Sequence, residues 1–179
     1  GDWGWSRNYG SPSDIEEAKD IMVSNDGDLL VAGNKGISLL HLIKLSKDGV
    51  PQWSKTYGEG SESYCNSLLQ QPDGSIYLLG TSLPYGQLNA VTYLVKTDAE
   101  GREVWTKTYG EGEFYEEGLD LIPTLDGGFA VAGIKEEAIL SQLYDVMLIK
   151  MDGNGNIYSN SVEGRVFHDV NLNCEYDEG

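Results

Sequence analysis

The chain has 179 residues, 40% of them apolar, which is enough to bury a core and excludes general disorder. Its formal charge of -17, from 29 acidic against 12 basic residues, repels phosphate backbones and anionic headgroups and argues against a nucleic-acid partner. No apolar run approaches the roughly 18 residues of a membrane span, because Ser38, His41 and Lys44 interrupt the longest, from Ile37 to Leu45.

The opening GDWGWSRNYG lacks the basic start and apolar middle of a secretory signal, which leaves a cytosolic chain or an already processed one. At Trp5 a phrase begins that recurs at Trp53 (WSKTYGEG) and Trp105 (WTKTYGEG), with spacings of 48 and 52 residues. A Tyr-Gly pair lies four residues past each Trp: Tyr9-Gly10, Tyr57-Gly58 and Tyr109-Gly110. An Asp-Gly turn signal follows in each copy, at Asp26-Gly27, Asp73-Gly74 and Asp126-Gly127, and each leads into a short apolar run ending in glycine: DLLVAG, SIYLLG, GFAVAG. A second apolar run closes on Lys44, Lys96 or Lys150, and a second turn (SKDG, DAEG, DGNG) leads back towards the Trp position.

Asp-Gly between apolar runs signals a hairpin, since both central residues of the tight two-residue turn need positive φ. Four short strands per copy are therefore expected, and runs such as LLVAG, apolar at successive positions, suit strands covered on both faces. SDIEEAKDIM, from Ser13, carries a Ser-x-x-Glu capping pattern and helical spacing. Its counterparts SESYCNSLL and EFYEEGLDLIP hold Gly118, Pro123 and β-prone residues, and copies of one repeat fold alike, so strand is assigned there as well.

These letters resemble the roughly 50-residue repeats of kelch-like β-propellers. They are more closely similar to the W-x-K-x-YGG repeats of secreted and surface proteins of the Bacteroidetes group, over about residues 3 to 158, with the third copy matching best and the first departing at SNDGDLLVAG and Ser46. The resemblance implies a scaffold and no active site, outside the cell or at its surface, with any signal peptide already removed. The expected fold is all-β: three tandem four-stranded antiparallel blade-like repeats at 1–52, 53–104 and 105–161, then an extended acidic tail at 162–179. The pattern stops at the third copy, where Ser159 stands at the Trp position.

In the tail, Asp169, Asn171, Asn173, Glu175 and Asp177 fall at positions 1, 3, 5, 7 and 9 of a loop, the spacing with which a turn wraps Ca2+. Cys174 replaces the glycine usual at position 6, and the position of the bidentate Glu lies past Gly179. The segment VEGRVFHDVNLNCEYDEG also resembles the start of the calcium-binding B-type domains of serine-aspartate-repeat surface proteins, which implies Ca2+ as a ligand, against a plain solvated tail. Cys65 and Cys174 are the only cysteines, and a disulfide between them stays open.

For catalysis there is no nucleophile elbow, phosphate loop or zinc-protease motif, and His41 and His168 stand far apart. Neighbouring carboxylates such as Glu16-Glu17 and Glu116-Glu117 point to opposite faces of a strand, so no enzyme is expected. Aromatics at repeat positions serve packing, which leaves Tyr85, Phe114 and Tyr115 as binding candidates. A closed propeller needs about four blades or more. Three copies leave sheet faces and edges uncovered, and such edges invite a second copy, head to tail, in a ring or filament. The expected function is a noncatalytic extracellular subunit that self-associates, with Ca2+ stiffening the junction. The alternatives are a stand-alone module binding a glycan or peptide, and blades from a longer closed propeller.

Overall fold

Six turns of one kind fold the chain back on itself. In each, the first residue donates its N–H to the carbonyl four positions on, and a glycine three positions on donates back: Ser24/Gly27/Asp28, Ser46/Gly49/Val50, Gln71/Gly74/Ser75, Asp98/Gly101/Arg102, Thr124/Gly127/Gly128 and Asp152/Gly155/Asn156. All six glycines have φ between 72° and 90° (Gly49, the second in this series, at 75°). These are three-residue loops with glycine at the left-handed position, one residue longer than the two-residue turn expected from Asp-Gly. The Asp supplies a second fastening: Asp73 Oδ1 accepts from Ser75 N (2.9 Å) and Asp152 Oδ1 from Asn156 N (2.7 Å).

The computed structural model describes residues 4–58, 62–110, 112–136 and 143–157. Among them are eleven strands and no helix. Strands β1 (Glu16–Val23), β2 (Leu29–Lys35), β3 (Leu39–Leu45) and β4 (Pro51–Tyr57) form one antiparallel sheet in chain order. Strands β5 (Glu62–Gln70), β6 (Ile76–Leu83), β7 (Val91–Thr97) and β8 (Glu103–Tyr109) form the second. The third contains β9 (Glu116–Pro123), β10 (Phe129–Glu136) and β11 (Tyr144–Met151). The third sheet therefore has three strands among the described residues, where four were expected. The capping pattern at Ser13 yields to strand, as the repeat argument required: Glu16–Val23 pairs along β2. The sheets are also offset from the repeat as read in sequence, because Trp53 and Trp105 lie on the last strands, β4 and β8, of the sheets they close.

The sheets stack face to face. Leu30, Ala32, Leu40 and Leu42 of the first meet Leu68, Ile76, Leu78 and Val95 of the second, and Tyr77, Leu79 and Leu94 on its other face meet Leu121, Phe129 and Val131 of the third. The middle sheet thus buries both faces, which is why SIYLLG and TYLV are apolar without alternation. Tyr77 sits at the second contact, 4.4 Å from the Phe129 ring and edge-on to Trp105 at 6.0 Å.

One bulge recurs in all three sheets, between Ala18 and Asp20, Cys65 and Ser67, and Gly118 and Asp120. It presses a carbonyl onto the glycine that ends each apolar run. A Cβ on Gly33, Gly80 or Gly133 would lie 1.8, 1.9 or 2.0 Å from the carbonyl oxygen of Glu17, Tyr64 or Glu117. These glycines answer to a close backbone approach, not to a turn. The bulge also frees side chains to cross between sheets: Asp20 Oδ2 accepts from Leu68 N (2.8 Å), and Ser67 Oγ donates to Asp120 Oδ1 (2.9 Å).

Candidate functional site: two open sheet faces and a polar cleft

Residues in matching register have opposite fates at the two ends of the stack. Leu42, Leu94 and Leu148 oppose Ala32, Leu79 and Ala132 in their sheets, on the face that looks towards the next sheet. Leu42 and Leu94 are fully buried, whereas Leu148 is 76% exposed, with Val146 (82%) and Ile122 (57%) beside it. On the face that looks back, Ile21, Leu68 and Leu121 oppose Val31, Leu78 and Val131. Leu68 and Leu121 are buried, and Ile21 is 60% exposed next to Val23 at 64%. Each end of the stack shows the surface that the interior interfaces cover.

The recurring Trp phrase forms the clasp between sheets. Tyr57 on β4 donates its hydroxyl to Gly101 O in the turn between β7 and β8 (2.8 Å), and Tyr109 on β8 donates to Gly155 O in the turn after β11 (2.8 Å). Burial holds both phenols above their ordinary pKa, so they stay neutral donors. A Cβ on Gly101 or Gly155 would lie 2.9 Å from the Trp53 or Trp105 ring, so each Trp covers the glycine that its Tyr grips. The N-terminal phrase repeats the clasp: Tyr9 donates to Gly49 O at 2.7 Å, Arg7 Nη1 reaches the same oxygen at 2.9 Å, and the Trp5 ring would lie 2.6 Å from a Cβ there. Residues 4–9 nonetheless belong to none of the three sheets.

A cleft of about 590 Å3 opens where β1, β5 and β9 approach one another. Glu17 and Asn34 line it from the first sheet, Tyr64, Asn66 and Thr81 from the second, and Tyr115 and Glu117 from the third. Glu117 accepts from Asn66 Nδ2 (3.1 Å) and from the Tyr115 hydroxyl (2.9 Å), while Asn34 Oδ1 accepts the Cys65 N–H (2.7 Å). Thr81 is 4% exposed and its hydroxyl has no partner among the described residues. Cys65 lies buried behind this wall, its thiol pushed up to about 12 by burial.

Of the three aromatics singled out in the sequence, only Tyr115 lines this cleft. Tyr85, 99% exposed, lies in a separate groove with Ile37 and Leu83, and Phe114 sits 5.9 Å from Lys135 Nζ in a third. They do not form one platform. Sequence reasoning missed Thr81, Asn34 and Asn66, whose only mark is their place at or near the bulges of the first two sheets. The calcium-type residues Asp169, Asn171, Asn173, Glu175 and Asp177 lie outside the described residues. Among the described residues no three metal-ligating side chains cluster, and no helix is long and apolar enough to cross a membrane. Glu116, paired with Lys135 at 2.5 Å, and Glu117, turned into the cleft, point apart as strand neighbours do.

No protein-family model matches the chain, and no curated protein matches it.

Proposed function

We propose that this chain is a noncatalytic, extracellular structural subunit whose sheets act as propeller-type blades and whose open ends join copies head to tail. What carries the reading is the contrast between Leu94, fully buried, and Leu148, 76% exposed, at the same place in successive sheets. Exposed apolar side chains at Ile122, Val146 and Leu148 favour burial, and the underside of another first sheet, with Ile21 and Val23, is the matching surface. Such a contact joins two different surfaces, so it builds a ring if the rotation closes and a filament if it does not. Sedimentation over a range of concentrations tests it: the mass is expected to rise with concentration, and a monomer at every concentration overturns it. The calcium part of the proposal rests on the spacing from Asp169 to Asp177 and on the resemblance of the tail. It predicts weaker association in a chelator, and an unchanged mass removes calcium from the account.

A second reading, a binding module for a glycan, is favoured by the orphaned Thr81 hydroxyl in a cleft with two tyrosines, amides and carboxylates. Sugar hydroxyls satisfy such groups. A glycan array followed by calorimetry is expected to find binding that Thr81→Val weakens about tenfold, the effect of losing one buried hydrogen bond. Binding indifferent to that change discards the cleft as its site.

A further inference from the structure

The strand position beyond β11, unfilled among the described residues, and the sheetless phrase at the N-terminus have matching shapes. In the first sheet β4 runs antiparallel to β3 with Trp53 opposite Lys44, Thr56 opposite His41 and Tyr57 opposite Leu40. In the second, β8 repeats this register on β7, with Trp105 opposite Lys96, Thr108 opposite Tyr93 and Tyr109 opposite Thr92. β11 is the counterpart of β3 and β7, and among the described residues β10 is its only strand neighbour. Trp5 and Tyr9 already grip Gly49 as the phrases of β4 and β8 grip Gly101 and Gly155. Relative to the first sheet, this segment stands where the last strand of a preceding sheet would stand.

Resting on the self-association reading, we propose that the Trp5–Tyr9 segment of one copy completes the third sheet of a second copy, antiparallel to β11. By the register of β4 and β8, Trp5 then faces Lys150, Asn8 faces Met147 and Tyr9 faces Val146. Strand addition satisfies the edge of β11 that no described strand pairs. It also seats the third sheet of the second copy on the first sheet of its donor, bringing Val146 and Leu148 towards Ile21. One movement thus supplies the strand, the face and the clasp, each with the chemistry of the two interfaces inside the chain.

The occupant is a second copy because this chain carries both halves of the contact. The test mixes two single variants in a Cys174→Ser background, Asn8→Cys in one and Met147→Cys in the other, under mild oxidation; Cys65 is buried and stays silent. A disulfide between positions 8 and 147 is expected at least about tenfold above that between 8 and 145 in an Asp145→Cys control, because disulfide geometry rejects a two-residue slip. Hydrogen exchange of the unaltered chain guards against a variant that fails to fold: β11 amides are expected to gain protection as concentration rises. A concentration-dependent mass without the 8–147 link, or without protection of β11, overturns strand addition and leaves self-association by another contact. A monomer throughout, whether because the surface awaits another chain or stays bare, overturns both.

Discussion

Leu94→Ala is expected to lower the free energy of unfolding by about 3 kcal/mol, and Leu148→Ala, its counterpart one sheet on, by less than about 0.5 kcal/mol in dilute solution. The two leucines share residue type and strand position, and they stand opposite Leu79 and Ala132 on the central strands of their sheets. What separates them is the covering sheet. Leu94 is wholly enclosed with Phe129, Val131 and Tyr77, so truncation loses the transfer energy of three heavy atoms and leaves a void that packed strands cannot collapse. Leu148, 76% exposed, loses little contact and opens no cavity. Urea midpoints at low protein concentration check this, with equal m-values certifying that the unfolded reference is unchanged. Dilution matters because association would stabilise the folded form by mass action and lend Leu148 a cost that belongs to the interface. Equal losses at the two sites would mean that the third sheet is covered within the monomer, and the case for an open face would end there.

Much of this fold can be read in the letters. The Asp-Gly and Lys-Asp-Gly signals fall on real turns, since a glycine with positive φ can hardly be replaced there and so marks its place in every copy. The strand at Glu16–Val23 was legible against a helical capping pattern because the same position in the other copies holds Gly118 and Pro123. Three things were hidden. The Trp phrase is the strongest repeat, so it reads as the start of a unit, although Trp53 ends one sheet and covers Gly101 of the next. The glycines at 33, 80 and 133 read as run terminators, whereas they make room for a bulge carbonyl on a neighbouring strand, a contact with no local pattern. The cleft draws a few residues from each of three sheets, Asn34, Thr81 and Glu117 among them, and polar letters scattered over separate strands carry no spacing to find.

The sharpest consequence of two unlike ends concerns a mixture of two variants. Leu148→Asp places a carboxylate on the upper face, beside Val146, and Ile21→Asp places one on the lower face, beside Val23; both sites are exposed in the isolated chain, so each variant is expected to fold with its stability nearly unchanged. Burying an unpaired carboxylate in the contact costs about 3 kcal/mol or more, which weakens association by roughly a hundredfold or more. Each variant alone should therefore sediment as a monomer. Mixed together they should form dimers and nothing larger, because the intact upper face of the Ile21→Asp chain meets the intact lower face of the Leu148→Asp chain once, and both remaining ends are blocked. The chain's charge of -17 makes that dimer tighten as salt is raised, since screening relieves the repulsion between copies while leaving the apolar contact in place. A face that paired with itself would behave differently: the variant that keeps that face intact would still dimerise alone. Dimers in the separate samples, or monomers in the mixture, would refute head-to-tail joining even if the unaltered chain proves to be an oligomer.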